Sequence, residues 1–83
     1  MPDRSSEAKK DTVRAVEAAK TIFDGRDPQA ECSSILVTTE HAVAAVLLAL
    51  FPDPRKAAAM LNEGMVPGIE ERLATYAAKR ATP

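Results

Sequence analysis

Tryptophan is absent from this 83-residue sequence, and the aromatic residues are two phenylalanines and one tyrosine. Cys32 is the single cysteine, so no internal disulfide is possible. His41 is the single histidine, so an all-protein zinc site would need carboxylates for most of its ligands. The three glycines, Gly25, Gly64 and Gly68, are scattered and make no phosphate-cradling loop. Strands are disfavoured too: outside residues 35–39 the chain lacks the period-2 alternation of β-branched and aromatic residues that a half-buried strand needs. The net charge is −1, leaving no global field to attract nucleic acid or an anionic membrane. The longest unbroken apolar run, residues 42–51, is ten residues, against the ~20 that span a bilayer. The opening MPDRSSEAKKD has no basic-then-apolar leader pattern. These absences lead us to expect a cytoplasmic protein with no cofactor, no metal and no membrane partner.

What the chain does have is alanine, sixteen of them. Alanine loses no side-chain entropy in a helix and lets helix axes approach closely. The expected fold is therefore all-α: a small single-domain bundle of about four helices. Residues 1–6 read as a disordered N-terminus, 7–80 as the helical domain and 81–83 as a frayed tail.

The first helix is expected from a Ser5 or Ser6 cap to about Asp24, with Gly25 as a left-handed stop. Its apolar side carries Ala8, Thr12, Ala15, Val16, Ala19, Ile22 and Phe23 at helical spacing. Residues 26–34, RDPQAECSS, read as a loop in which Asp27-Pro28 begins a turn. Thr38 or Thr39 then reads as the cap of a central helix, with Val37 as its staple residue and Glu40 in its first turn. Val43, Val46, Leu47 and Leu50 fall on one side of that helix and suit a core. Ala42, Ala45 and Ala49 lie opposite and suit close approach by another helix, in this chain or a second copy.

Pro52-Asp53-Pro54 breaks the chain. Asp53 reads as the next cap and Pro54 as the first helical residue. This third helix is expected over 54–63, ending at Gly64 with Met65 folded back on Met60. Val66-Pro67-Gly68 then opens a last helix to about Arg80, with Ile69, Leu73 and Tyr76 as its apolar stripe. Two short helices joined across residues 64–68 give the C-terminal half a helix-turn-helix outline.

Chemistry-bearing residues are few. Cys32 and His41 make no convincing metal site or nucleophile pair. Glu70 and Glu71 are adjacent on a helix, so they point about 100° apart and favour the helix dipole rather than sharing a substrate. No enzymatic activity is expected. Direct DNA binding is disfavoured, because the reading helix would bring Glu70 and Glu71 to phosphate-rich DNA, while Arg55, Lys56, Arg72, Lys79 and Arg80 are spread out and offset by acids. A protein partner suits these residues better. Met60, Met65 and Val66 supply adaptable apolar surface, and Tyr76 pairs an apolar ring with a polar tip. Met65, Arg72, Leu73 and Tyr76 are the partner-binding candidates.

The tract TTEHAVAAVLLALFPDPRKAAAMLNEGMVPGIEERLATYAAKR, residues 38–80, resembles the small antiactivator proteins of rhizobial integrative and conjugative elements, the QseM type. That resemblance implies a helix-turn-helix variant used for protein contacts. It also implies a role in binding and silencing transcriptional activators, including LuxR-type quorum-sensing regulators and an excision activator. The function expected is thus an antiactivator. The alternatives are a small DNA-binding helix-turn-helix regulator and a self-associating helical assembly subunit.

Overall fold

A computed structural model describes residues 4–81 of the chain, and the side chains of residues 6–80. The fold is all-α, with no strand among the described residues. There are three helices rather than four. Helix α1 is Arg4–Phe23 and α2 is Cys32–Leu50. Helix α3 runs over residues 54–81, with α-helical stretches Pro54–Met60 and Val66–Ala81 joined by a π-helical turn, Leu61–Met65.

Residues 4–6, expected to be disordered, are already helical, so α1 starts before the serines assigned to cap it. Residues 1–3 of the expected disordered N-terminus and 82–83 of the expected frayed tail lie outside the described residues; Ala81 is helical. Helix α1 stops where Asp24 and Gly25 both adopt left-handed backbone, φ 49° and 71°. The glycine takes that conformation without a Cβ penalty, and the short polar side chain of Asp24 tolerates it. On the solvent side, Lys10–Glu7, Arg14–Asp11 and Lys20–Glu17 form exposed pairs one turn apart. Such pairs add only tenths of a kcal/mol each.

The loop after α1 is shorter than expected, because α2 begins six residues before Thr38. Asp27 is the reason. Its Oδ1 accepts from the backbone N–H of Gln29 at 2.9 Å and of Ala30 at 3.5 Å. Glu31 N–H then reaches the Asp27 carbonyl at 2.9 Å, and Ile35 N–H the Glu31 carbonyl at 3.0 Å. Asp27-Pro28 thus primes helical geometry instead of opening an irregular loop. Thr38 and Thr39 lie inside α2, and their hydroxyls donate back to the carbonyls of Ser34 (3.1 Å) and Ile35 (2.8 Å). Neither caps the helix, and Val37 is half exposed rather than stapled.

Asp53 behaves as its sequence context predicts. It sits in extended backbone at the head of α3, accepts from Arg55 N–H at 2.9 Å, and is followed by Pro54 in the first turn. The expected stop at Gly64 does not occur. Leu61–Met65 continues as a π turn, in which Val66 N–H reaches back five residues to the Leu61 carbonyl. Pro67 explains the location. It has no N–H, and its ring crowds the carbonyl four residues earlier. A widened turn just before it absorbs that conflict without ending the helix. The turn expected over residues 64–68 is therefore absent, and the helix-turn-helix corner with it.

Packing divides the chain into two units, Met1–Ala42 and Val43–Pro83. In the first, Ile35 is the buried apolar residue, with Ile22, Thr38, Thr39 and Ala42 half-buried. Arg26 links its helices. Its guanidinium donates to the carbonyls of Ile22 and Phe23 at the end of α1, to Ser34 Oγ at 3.0 Å and to Thr38 Oγ1 at 3.2 Å on α2. A cation there satisfies orphan carbonyls and favours the negative end of α1. In the second unit Leu47 and Ala57 are buried, with Val43, Phe51, Leu61 and Met65 half-buried. The expected core face of the central helix is only partly covered: Leu47 is buried and Val43 half-buried, but Val46 and Leu50 are exposed. Of the alanine face, Ala42 is half-buried while Ala45 and Ala49 are exposed.

Candidate protein-binding surface

The last sixteen residues of α3, Val66–Ala81, carry the most coherent exposed surface of the second unit. Val66, Ile69, Leu73 and Tyr76 recur at spacings of three and four, which places them on one face of an α-helix. That face is open: Ile69 is 44% exposed, Leu73 62% and Tyr76 53%. Met65, at the end of the π turn, adjoins this face one turn before Ile69 and is half-buried. Arg72 lies on the flank of the same face, exposed. The four candidates Met65, Arg72, Leu73 and Tyr76 therefore belong to one surface, Met65 as its least accessible member. Ile69, expected as part of the apolar stripe but not among the partner-binding candidates, belongs to that surface as well.

Among the described residues, the basic side chains around this stripe have no ion-pair partner. Ion pairs among the described residues are confined to α1, and no hydrogen bond there engages the side chains of Arg72, Lys79 or Arg80. Arg72 and Lys79 border one side of the stripe, and Arg80 falls in line with Ile69, Leu73 and Tyr76. Glu70 borders the other side at its N-terminal end, and Glu71 points away. A shallow hollow of about 230 Å³ runs beside the stripe, lined by Gly68, Glu71, Arg72, Thr75 and Tyr76.

A second hollow, about 400 Å³, lies where Phe51 meets the π turn, lined by Lys56, Ala59, Met60, Glu63 and Gly64. Gly64 is helical, and a Cβ there would stand 2.7 Å from Met60 Sδ. The glycine thus makes room for the Met60 thioether, not for a left-handed stop.

Cys32 and His41 are both exposed on α2, nine residues or about 13 Å apart along its axis. No group of three or more His, Cys, Asp or Glu side chains among the described residues is placed to hold a metal ion. Helix α2 itself, at 19 residues, is long and apolar enough by length and composition to cross a membrane. Its apolar character extends beyond the ten-residue run because Ile35, Leu36 and Val37 join the same helix. A core helix passes that test as well, yet in α2 only Ile35 and Leu47 are buried. No family model, curated protein or solved structure matches the chain.

Proposed function

We propose that this protein is a small antiactivator: it binds a transcriptional activator and blocks its activity, with the Val66–Ala81 stripe as the binding surface. The observation that carries this reading is the open row of Ile69, Leu73 and Tyr76 beside unpaired Arg72. Burying such a row is the main source of affinity at protein interfaces, and Tyr and Arg are frequent anchors there. The sequence resemblance of residues 38–80 to the rhizobial antiactivators, without the helix-turn-helix corner that it implies, supplies the kind of partner, a LuxR-type or excision activator. Occlusion of the activator's DNA-binding or dimerisation surface would follow from burial of this stripe. A cytoplasmic location fits such a partner.

The test is affinity purification of the full chain from its native cells, followed by mass spectrometry. Recovery of a transcriptional regulator, lost on Leu73→Asp, is the expected result. An empty pull-down under conditions that keep the bait folded sinks the reading. DNA binding loses its main structural support with the helix-turn-helix corner, and duplex titration at low salt is expected to give no complex.

One observation favours a second reading, self-association through α2. Ala45 and Ala49, on the alanine face of the helix, are exposed four residues apart within the second unit, a small-residue surface that a second copy's helix can approach closely. Sedimentation at rising concentration decides this: a monomer throughout removes it.

A further inference from the structure

We infer that the occupant of the Val66–Ala81 stripe is an amphipathic α-helix of another protein whose apolar face is bordered by acidic residues. This rests on the protein-binding reading above and specifies the chemistry of its partner.

The argument starts from the periodicity of the surface. Ile69, Leu73 and Tyr76 are separated by four and three residues, so they span about two helical turns, roughly 10 Å. A facing helix meets such a row with its own side chains at the same repeat, ridge into groove. Charge then selects among helices. Arg72, Lys79 and Arg80 border or end the stripe and have no acidic partner among the described residues. Of the nearby acids, Glu70 lies at the opposite end of the stripe and on its other flank, and Glu71 lines the far edge of the hollow that Arg72 borders. Opposite charge on a partner's flank is attractive, and like charge is selected against.

The same reasoning disfavours helix α1 of a second copy as the occupant. Its exposed apolar residues, Val13, Val16 and Phe23, share their face with Lys9, while Lys20 beside them is already paired with Glu17. Placing that face on the stripe would set Lys9 against Arg72, Lys79 and Arg80 and offer them no unpaired acid in return. Helix α2 brings only Glu40 as a charged residue and offers the stripe little complementarity. An acidic-bordered helix from a different protein answers both the spacing and the charge.

Three synthetic helical peptides of equal length and identical leucine stripe, bordered by Glu, Gln or Lys, test this against the full chain by fluorescence anisotropy. The Glu peptide should bind about tenfold more tightly than the Gln peptide, as a few exposed charge pairs predict. The Lys peptide should bind weakest, and added salt should erase the differences. Leu73→Asp should abolish binding of all three. Combined Arg72→Gln, Lys79→Gln and Arg80→Gln, which keeps good helix formers at each site, should make the three peptides equivalent. Circular dichroism checks that both variants remain helical. No binding by any peptide, equal binding to the unaltered chain, or binding that survives Leu73→Asp would each overturn the inference. A regulator recovered in the pull-down together with flank-indifferent peptides would leave the antiactivator reading standing and remove this one. Flank-selective peptide binding with an empty pull-down would do the reverse.

Discussion

Among single residues, glycines sort by backbone and neighbour. Gly25 sits at φ +71°, where an L side chain is strained. Gly68 is helical, with nothing within 4 Å of the position a Cβ would take. Opposite outcomes follow. Gly25→Ala should destabilise by about 1 kcal/mol, while Gly68→Ala should stabilise by about 0.5–1 kcal/mol through helix propensity and the unfolded chain. Urea unfolding followed by circular dichroism reads both, and equal signs would contradict these backbone assignments. Arg26 makes a larger claim. Removing a guanidinium that serves two α1 carbonyls and two α2 hydroxyls should cost about 1–2 kcal/mol in Arg26→Ala. Arg26→Lys should recover little of it, because an ammonium cannot reproduce the planar fork. Nothing in the sequence marks Arg26, which reads as one charged loop residue among several; its role arises only where the end of α1 meets the start of α2.

At the scale of elements, the same dipeptide, Asp-Pro, starts helical geometry twice. Before α3 it was legible because Pro52 and a clear periodic segment flank it. Before α2 it is hidden by RDPQAECSS, whose polar composition looks like loop, and by Thr38 and Thr39 further on, which offer a later, more familiar cap. Asp27→Ala and Asp53→Ala should therefore each cost about 1 kcal/mol, Asp27 being as important as Asp53; the same urea transition checks this. In α3 the reverse holds. Gly64, Pro67 and Gly68 are strong local punctuation, and local rules read them as an end and a new beginning. A helix can instead keep its axis and absorb the missing Pro67 donor in one π turn, an option that residue-by-residue stop signals do not encode. The all-α class and the stripe at Ile69, Leu73 and Tyr76 were legible, since both depend on period alone. Exposure was not, because an apolar stripe looks the same in sequence whether a neighbour covers it or not. Relieving the conflict should regularise the junction: Pro67→Ala is expected to increase hydrogen-exchange protection of residues 61–68 and to leave the spacing of the stripe intact.

For the molecule as a whole, the decisive quantity is how little apolar side chain is buried. Ile35, Leu47 and Ala57 are the buried apolar residues described, while thirteen large apolar side chains remain exposed. Burial of a large apolar side chain contributes about 1.5–3 kcal/mol, and a domain of this length is marginal even with an ordinary core. The free chain should consequently unfold readily, and whatever covers its stripe should raise its stability by mass action. At a concentration 100 times its dissociation constant, a bound acidic-bordered helix should add about 2.7 kcal/mol. For a domain of this size each kcal/mol corresponds to about 4–8 °C of melting temperature, so the shift should exceed about 10 °C. Thermal melts of the full chain with the Glu-bordered peptide, and of Leu73→Asp with the same peptide, measure it directly. A large shift in the first and none in the second ties the stability of the whole to the one surface left open. Equal shifts in both would place the peptide elsewhere, and a melting temperature that rises with protein concentration alone would show instead that a second copy does the covering.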